Sequence, residues 1–265
     1  MNRVRRLRGM PLFDRFPGGV RPTGAGRALQ RHAVAALDAL EAADRELRGA
    51  QDPTSRVRLG YFPAAGAVMV ADALTALRRE GSRVRVTTRE GSTPALVRAL
   101  RSGTLDLALL TSRPPHRSPD TDAPPLRAEP LLETRLALAV PADSRFADRG
   151  TAYVEDIAAE PWIAGPDGTG EPLLGVWPGL PGRPRIAHTA RDWLTKLHLV
   201  AAGAGITTAT PALLPVVPPG VRFVDVTGVA EEVRRVNLVS LPDRGTPPSA
   251  ALVNALRGRA AALTG

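Results

Sequence analysis

The chain has 265 residues, 43% of them hydrophobic, carries a net charge of +9 and contains no cysteine. Such a chain can bury the core of one large or two modest domains plus an appendage, whereas disulfides, thiolate zinc sites and cysteine nucleophiles are excluded. No apolar run approaches the ~18 residues of a membrane-spanning helix, and no apolar stretch follows the basic start as a secretory signal requires, so a cytosolic protein is expected.

The charge is uneven. The first 31 residues hold eight arginines against Asp14 alone, and Lys196 is the single lysine of the chain. A basic block on a nearly neutral body suits contact with phosphates, and a merely solvated basic start explains the charge as well. Within the block, PLFDRFPGGVRPT (11–23) predicts a hairpin, because Gly18-Gly19 can take the positive φ of a tight turn. Phe13 is expected to pack under the following helix. Arg15 and Arg21 are expected together at the base, within reach of a phosphate or a minor groove. Residues 23–50 predict one helix, capped by Thr23 and ended by Gly49 and Asp52-Pro53. Leu29, Ala33, Ala36, Leu40, Ala43 and Leu47 step by four and three, an a/d stripe. A rod of about 25 residues is roughly 37 Å long and does not bury that stripe by itself. It requires a partner helix or a seat on its own domain. Residues 50–56 read as a linker.

From residue 57 strands and helices alternate. VRLGYF (57–62) predicts a strand, 66–80 a helix stopped by Gly81, RVRVTTRE (83–90) a strand, 92–103 a helix capped by Ser92 or Thr93, and LDLALL (105–110) a buried strand. A β-α-β-α-β run with short connections argues for a parallel sheet covered by helices. The Pro-rich stretch 112–125 predicts an exposed loop, and 126–141 one or two long apolar strands. A second set follows: a helix near 153–159, a strand at PWIAG (161–165), a turn-rich loop at 165–172, a strand near 185–188 and a helix at 190–202. It continues with a strand at 205–209, a helix at 210–214, strands at 221–226 and 234–242, and a closing helix at 247–263. Apolar strands at 131–141 and 234–242 bracket this set. That predicts an α/β body of two lobes crossed twice by the chain, with a cleft suited to a small molecule.

Little points to catalysis. His32, His116, His188 and His198 show no metal-ligand spacing with carboxylates, and His188 is expected to open a helix at a lobe edge. GAGITT (203–208) superficially suggests a dinucleotide loop, but Gly203 closes a helix instead of following a strand. There is no G-x-S-x-G elbow, and no cofactor or metal is expected. Ser92 and Thr93 open a helix, where free N–H groups and the positive end of the dipole suit an anion. Simple capping accounts for the same residues.

The stretch GMPLFDRFPGGVRPTGAGRALQRHAVAAL resembles the join of recognition helix, wing and linker helix in LysR-type transcriptional regulators, at Gly9, Pro11, Leu12, Phe13, Asp14, Arg15, Val20, Thr23, Gly26 and Leu29. VRLGYFPAAGAVMVADALTAL, EGSTPALVRALRSGTLDLALL and LVAAGAGITTATPALLP resemble three stretches of that family's effector domain, in order and at similar spacing. The resemblance implies a two-lobed type 2 periplasmic-binding-protein-like effector domain, preceded by a remnant winged helix-turn-helix and a long linker helix. The implied divisions are 1–22 for the remnant, 23–50 for the dimerisation helix and 57–265 for the effector domain. Within the last, lobe 1 takes about 57–132 and 236–265, and lobe 2 about 133–235. In the family nearly a full helix-turn-helix precedes the wing, whereas MNRVRRLR alone stands before Gly9 here. The implied alternatives are a start codon further upstream or a shortened regulator that senses and dimerises but binds DNA poorly.

By the same resemblance, Arg5, Arg6, Arg15 and Arg21 contact DNA, and Arg5 and Arg6 belong to the tail of the recognition helix. The loop Pro63–Gly66 faces the cleft, with alanine at position 64 where the family often carries a hydroxyl. Ser92, Thr93, Thr111, Ala164, Gly165, Thr189 and Ile206 line the cleft with Ala64. The implied partners are double-stranded DNA, a small effector such as an organic acid, and a second copy in a homodimer or homotetramer, with no enzyme activity. A cytosolic small-molecule-binding protein without sequence-specific DNA binding is the alternative.

Overall fold

The computed structural model describes residues 6–7, 10–16, 19–30, 32–33, 36, 40, 56–166, 174–242 and 250–263. Arg5, Gly18, Ala43, Leu47 and most of the loop at 165–172 lie outside the described residues. At the start, β1 (Arg6–Leu7) pairs antiparallel with β2 (Met10–Pro11), and β3 (Phe13–Phe16) with β4 (Gly19–Pro22). Arg6 is therefore extended, not part of a helical tail; Leu7 faces Met10 across the strand pair, which supplies the backbone partners a helical turn would otherwise need. In the hairpin Arg21 pairs with Asp14 and Arg15 with Val20, so the two arginines occupy successive rungs.

Leu12, not Phe13, anchors this segment: Leu12 is 3% exposed and Phe13 45%. The reason lies in the cap of the next helix, α1 (24–30, and helical again at 32, 33, 36 and 40). Thr23 N–H donates to the Leu12 carbonyl at 3.0 Å and Gly26 N–H to Thr23 Oγ1 at 2.9 Å, while Thr23 Oγ1 donates to the Pro11 carbonyl at 2.7 Å. The helix start is thereby drawn onto Leu12, so closely that a Cβ on Gly26 would overlap the Leu12 carbonyl oxygen. Along the stripe Leu29 is half-buried, and Ala33, Ala36 and Leu40 are exposed.

Along the body run β5 (Arg56–Tyr61), a helical stretch α2 (Pro63–Ala65, a π turn at Gly66–Val70, then Ala71–Arg79), β6 (Arg85–Glu90), α3 (Thr93–Arg101), β7 (Leu107–Ser112), β8 (Arg127–Arg135) and β9 (Ala137–Pro141). Next come α4 (Arg145–Arg149), β10 (Thr151–Tyr153), α5 (Val154–Ala158), β11 (Pro161–Ala164), β12 (Arg185–Thr189), α6 (Trp193–Ala201) and β13 (Thr207–Ala209). A 3-10 turn (Pro211–Val216), β14 (Val221–Thr227), β15 (Val233–Ser240) and α7 (Ala250–Ala262) complete the chain. Pro63 occupies the first helical turn, where its missing N–H has no intrahelical role, so the expected loop 63–66 is helix. His188 lies within β12 and opens no helix.

Two sheets result. The first has the order β6-β5-β7-β15-β8, with β5 parallel to β6 and β7, and β15 antiparallel to both β7 and β8. The second has the order β10-β14-β9-β13 and is continued by the parallel pair β11-β12 through the Trp162–Ile206 bridge. The chain passes between the sheets at Leu136 and again between β14 and β15, and Leu136 N–H donates to the Glu232 carbonyl at 2.6 Å. Strand β7 is apolar throughout its first four residues because both its faces are covered. Leu107 and Leu109 join the core beneath α2 and α7, and Ala108 and Leu110 the core beneath α3. The first of these cores runs on through Ala212 and Leu213 to Ile163, Leu197 and Val200 of the second lobe.

Candidate functional site

Ligands of open α/β sheets bind beyond the carboxyl ends of parallel strands. Here those ends are Tyr61, Glu90 and Ser112. After the first, α2 begins, with Ala64 half-buried in its opening turn. Its π turn follows at once, and a Cβ on Gly66 would come within 2.6 Å of the Tyr61 ring. Such turns are frequent at functional positions.

After the second strand, α3 starts at Thr93 with Ser92 as its N-cap. Ser92 is exposed and its hydroxyl makes no capping bond, although its carbonyl accepts from Leu96 N–H at 2.9 Å. Pro94 removes one of the four N–H groups that a helix start leaves unpaired; the others point out of the helix end beside the hydroxyls of Ser92 and Thr93. At the end of β7, Thr111 is exposed. Thr93 and Thr111 also line an open groove of about 960 Å³ that extends beneath the 113–119 loop to β8 and β15.

The second-lobe candidates divide by burial. Thr189 is exposed at the end of β12. Ala164 is 0% exposed and Ile206 3%, both inside the core. Their polar groups are backbone and already committed: the Ala164 carbonyl accepts from Ala190 N–H at 2.9 Å, and Ile163 N–H donates to the Ile206 carbonyl at 2.8 Å. Gly165 N–H donates to the Leu174 carbonyl at 2.5 Å.

One residue here escapes a reading of motifs. Lys196 is 7% exposed, and its Nζ donates to the Leu174 carbonyl at 2.9 Å. Burial drives its pKa down from 10.5 to about 8, against the opposing pull of Asp192. A Cβ on Gly165 would stand 3.8 Å from this ammonium, and one on Gly175 would overlap both it and Thr207 Oγ1. Thr207 Oγ1 in turn donates to the Ile163 carbonyl at 2.8 Å. Its only mark in the sequence is to be the single lysine of the chain, and the structure sets it one turn before Val200 on the buried side of α6.

Among the described residues no group of three histidine, aspartate or glutamate side chains is placed to hold a metal ion. No helix among them is long and apolar enough to cross a membrane. Of the arginines expected at DNA, Arg15 lies in β3 and Arg21, exposed, in β4.

The arrangement has relatives. The chain is 30% identical over 219 residues to the small neutral protease regulatory protein of Streptomyces coelicolor, covering 80% of this chain and 63% of that one. It spans a little under two thirds of the length of such curated relatives. A hydrogen peroxide-bound OxyR mutant of Corynebacterium glutamicum superposes with a TM-score of 0.59 at 22% identity, over 96% of this chain and 83% of that one. The effector-binding domain of QuiR in complex with shikimate superposes with a TM-score of 0.57 at 18% identity, over 78% of this chain and 95% of that domain. Both share the α/β two-lobed fold. Residues 50–261 match the model of the LysR substrate binding domain, and the chain belongs to the LysR family.

Proposed function

We propose that the protein is a LysR-type transcriptional regulator that binds a small organic acid between its lobes and transmits that binding to DNA. The observation that carries this reading is the pair of hydroxyls, Ser92 and Thr93, without a side-chain hydrogen bond among the described residues, at the start of a nine-residue helix beside the carboxyl ends of parallel strands. A carboxylate there gains the unpaired N–H groups, the helix dipole and two donors. Thr189, exposed at the end of β12, and Ala64, half-buried in the opening turn of α2, are assigned to the same site. The Streptomyces relative is named as a regulatory protein and the QuiR domain holds shikimate, which agree with a sensor for an acid.

In this reading residues 57–265 sense, 23–50 pair with a second copy along Leu29–Leu47, and 1–22 contact DNA. Arg5, Arg6, Arg15 and Arg21 bind phosphate, and the protein acts on DNA in the cytoplasm without catalysing a reaction. Occupancy of the cleft favours one lobe arrangement and so shifts the placement of the paired rods, a change of population and not of covalent structure.

Titration calorimetry with shikimate and related carboxylates tests the cleft. Loss of one hydrogen bond to a charged ligand lowers affinity about tenfold, so Ser92→Ala is expected to bind that much more weakly. A variant that binds every such acid as the parent does would overturn the site. Gel shifts across a salt series test the other half. Affinity should fall steeply with salt, and Arg15→Ala should lower both the affinity and the slope. Absence of any salt-dependent shift favours the alternative, a small-molecule-binding protein without sequence-specific DNA binding.

A further inference from the structure

The groove on the first lobe contains more than its share in the cleft explains. Its lining comes from α3, β7, the 113–119 loop, β8 and the segment 231–239, and takes in neither Ser92 nor any strand of the second sheet. The loop over it is tied down at its far end, where it runs on into residues 120–124. Arg101 donates from Nε to Asp120 Oδ2 and from a terminal nitrogen to Asp120 Oδ1, each at 2.9 Å, and also to the Asp122 and Pro124 carbonyls at 2.9 and 2.6 Å.

Beneath that loop runs a chain of side-chain hydrogen bonds. Asn237 Nδ2 donates to Ser112 Oγ at 2.9 Å, and Ser112 Oγ lies 3.0 Å from His116 Nδ1. The serine oxygen has lone pairs enough to accept from Asn237 and from Nδ1–H, or it donates its own proton to Nδ1; in the second arrangement Nε2 carries the ring proton and faces no partner among the described residues. His116 holds a left-handed backbone, φ 53°, which is uncommon outside glycine and persists where surroundings enforce it. Its N–H donates to the Arg113 carbonyl at 2.7 Å. The guanidinium groups of Arg113 and Arg117 line the groove with no partner among the described residues, whereas Arg235 is held by Glu133 and Glu232 by Arg234. Glu231 is the acidic lining residue left over. Proline rings and the Ala128 methyl supply apolar surface.

We propose that this groove is a second ligand site, which takes a carboxylate with an apolar body on His116 Nε2–H and Arg113. Segment 231–235 leads from the second lobe into β15, so a ligand lodged against it and the pinned loop stiffens one of the two inter-lobe crossings. That regulatory meaning rests on the cleft reading above; the site itself does not.

Crystals soaked in para-bromobenzoate, located by bromine anomalous scattering, give the position, and calorimetry with the same acid gives the affinity. His116→Gly is the apt variant, since glycine adopts φ 53° without strain and the fold should hold or gain. The parent is expected to show a bromine peak against His116. His116→Gly should lose that peak and weaken the corresponding binding step about tenfold, while Ser92→Ala leaves both unchanged. An empty groove in the parent, or undiminished groove binding by His116→Gly, overturns the second site and leaves the cleft reading standing. A peak against His116 with none beside Ser92 supports the groove and counts against the cleft.

Discussion

Lys196 shows how one side chain sets a pH response. Below pH 8 or so, the folded protein holds a buried ammonium that the unfolded chain would solvate freely. Between about 8 and 10.5 the folded form has released its proton and the unfolded form still binds one, so stability rises with pH across that window and levels off above it. Replacing the ammonium by a thioether removes both the cost and the slope. Lys196→Met is therefore expected to be more stable near neutral pH, by on the order of 1–2 kcal/mol once the lost bond to Leu174 is counted. The advantage should vanish as the pH approaches 10.5. Urea unfolding of both proteins across that range tests this, and a gap that stays constant with pH refutes it. The sequence shows it only as the single lysine of the chain; its place on the buried side of α6 comes from the structure, and its partner Leu174 lies 22 positions away and carries no motif. Leu12 was hidden for a similar reason. Phe13 is the larger apolar residue, and only the capping bonds of Thr23, with Gly26 allowing contact, reveal why the smaller neighbour is the one buried.

Helix caps separate structural hydroxyls from available ones. Asp192 accepts from Thr195 N–H at 2.8 Å and Ser144 from Ala147 N–H at 3.3 Å, so both cap the helices they precede. Ser92 stands in the same place before α3 and does not. Removing a working cap costs about 1 kcal/mol, whereas removal of an idle surface hydroxyl costs less than about 0.5. Asp192→Ala is thus expected to lower the melting temperature and Ser92→Ala to leave it unchanged; a comparable loss in both would return Ser92 to a capping role. Sequence periodicity located nearly every long element, because amphipathic and buried runs follow from local chain geometry. It did not show that β15 returns to lie between β7 and β8, since strand partners are chosen by long-range packing. The elements α4 and β10 were missed because five- and three-residue segments hold too few turns to display a period. Residues 112–125 read correctly as Pro-rich loop, but the grip of Arg101 on Asp120 that shapes the groove needs two side chains brought together across 19 positions.

The two lobes share apolar packing on one side. Ala212 and Leu213, in the 3-10 turn after β13, are buried in the same cluster as Val68 and Met69 of the π turn and Leu197 and Val200 of α6. Arg259 reinforces the first-lobe side of this seam, donating to the Val68 carbonyl at 2.8 Å and pairing with Asp72 at 2.8 Å. Wide separation of the lobes would tear that cluster, so their relative movement is limited to small rotations about the crossings, between closely related packings. Leu213 tests whether the seam couples the lobes. Truncating it to alanine removes buried apolar contact and leaves a cavity, a loss of about 2–5 kcal/mol. If the seam is what makes the lobes unfold together, the parent should melt in one calorimetric transition and Leu213→Ala in two. The loss alone would mean only that Leu213 is buried. It is the splitting of the transition that ties this side chain to communication between lobes, and a variant that still melts in a single step would place the coupling in the crossings at Leu136 and Glu232 instead.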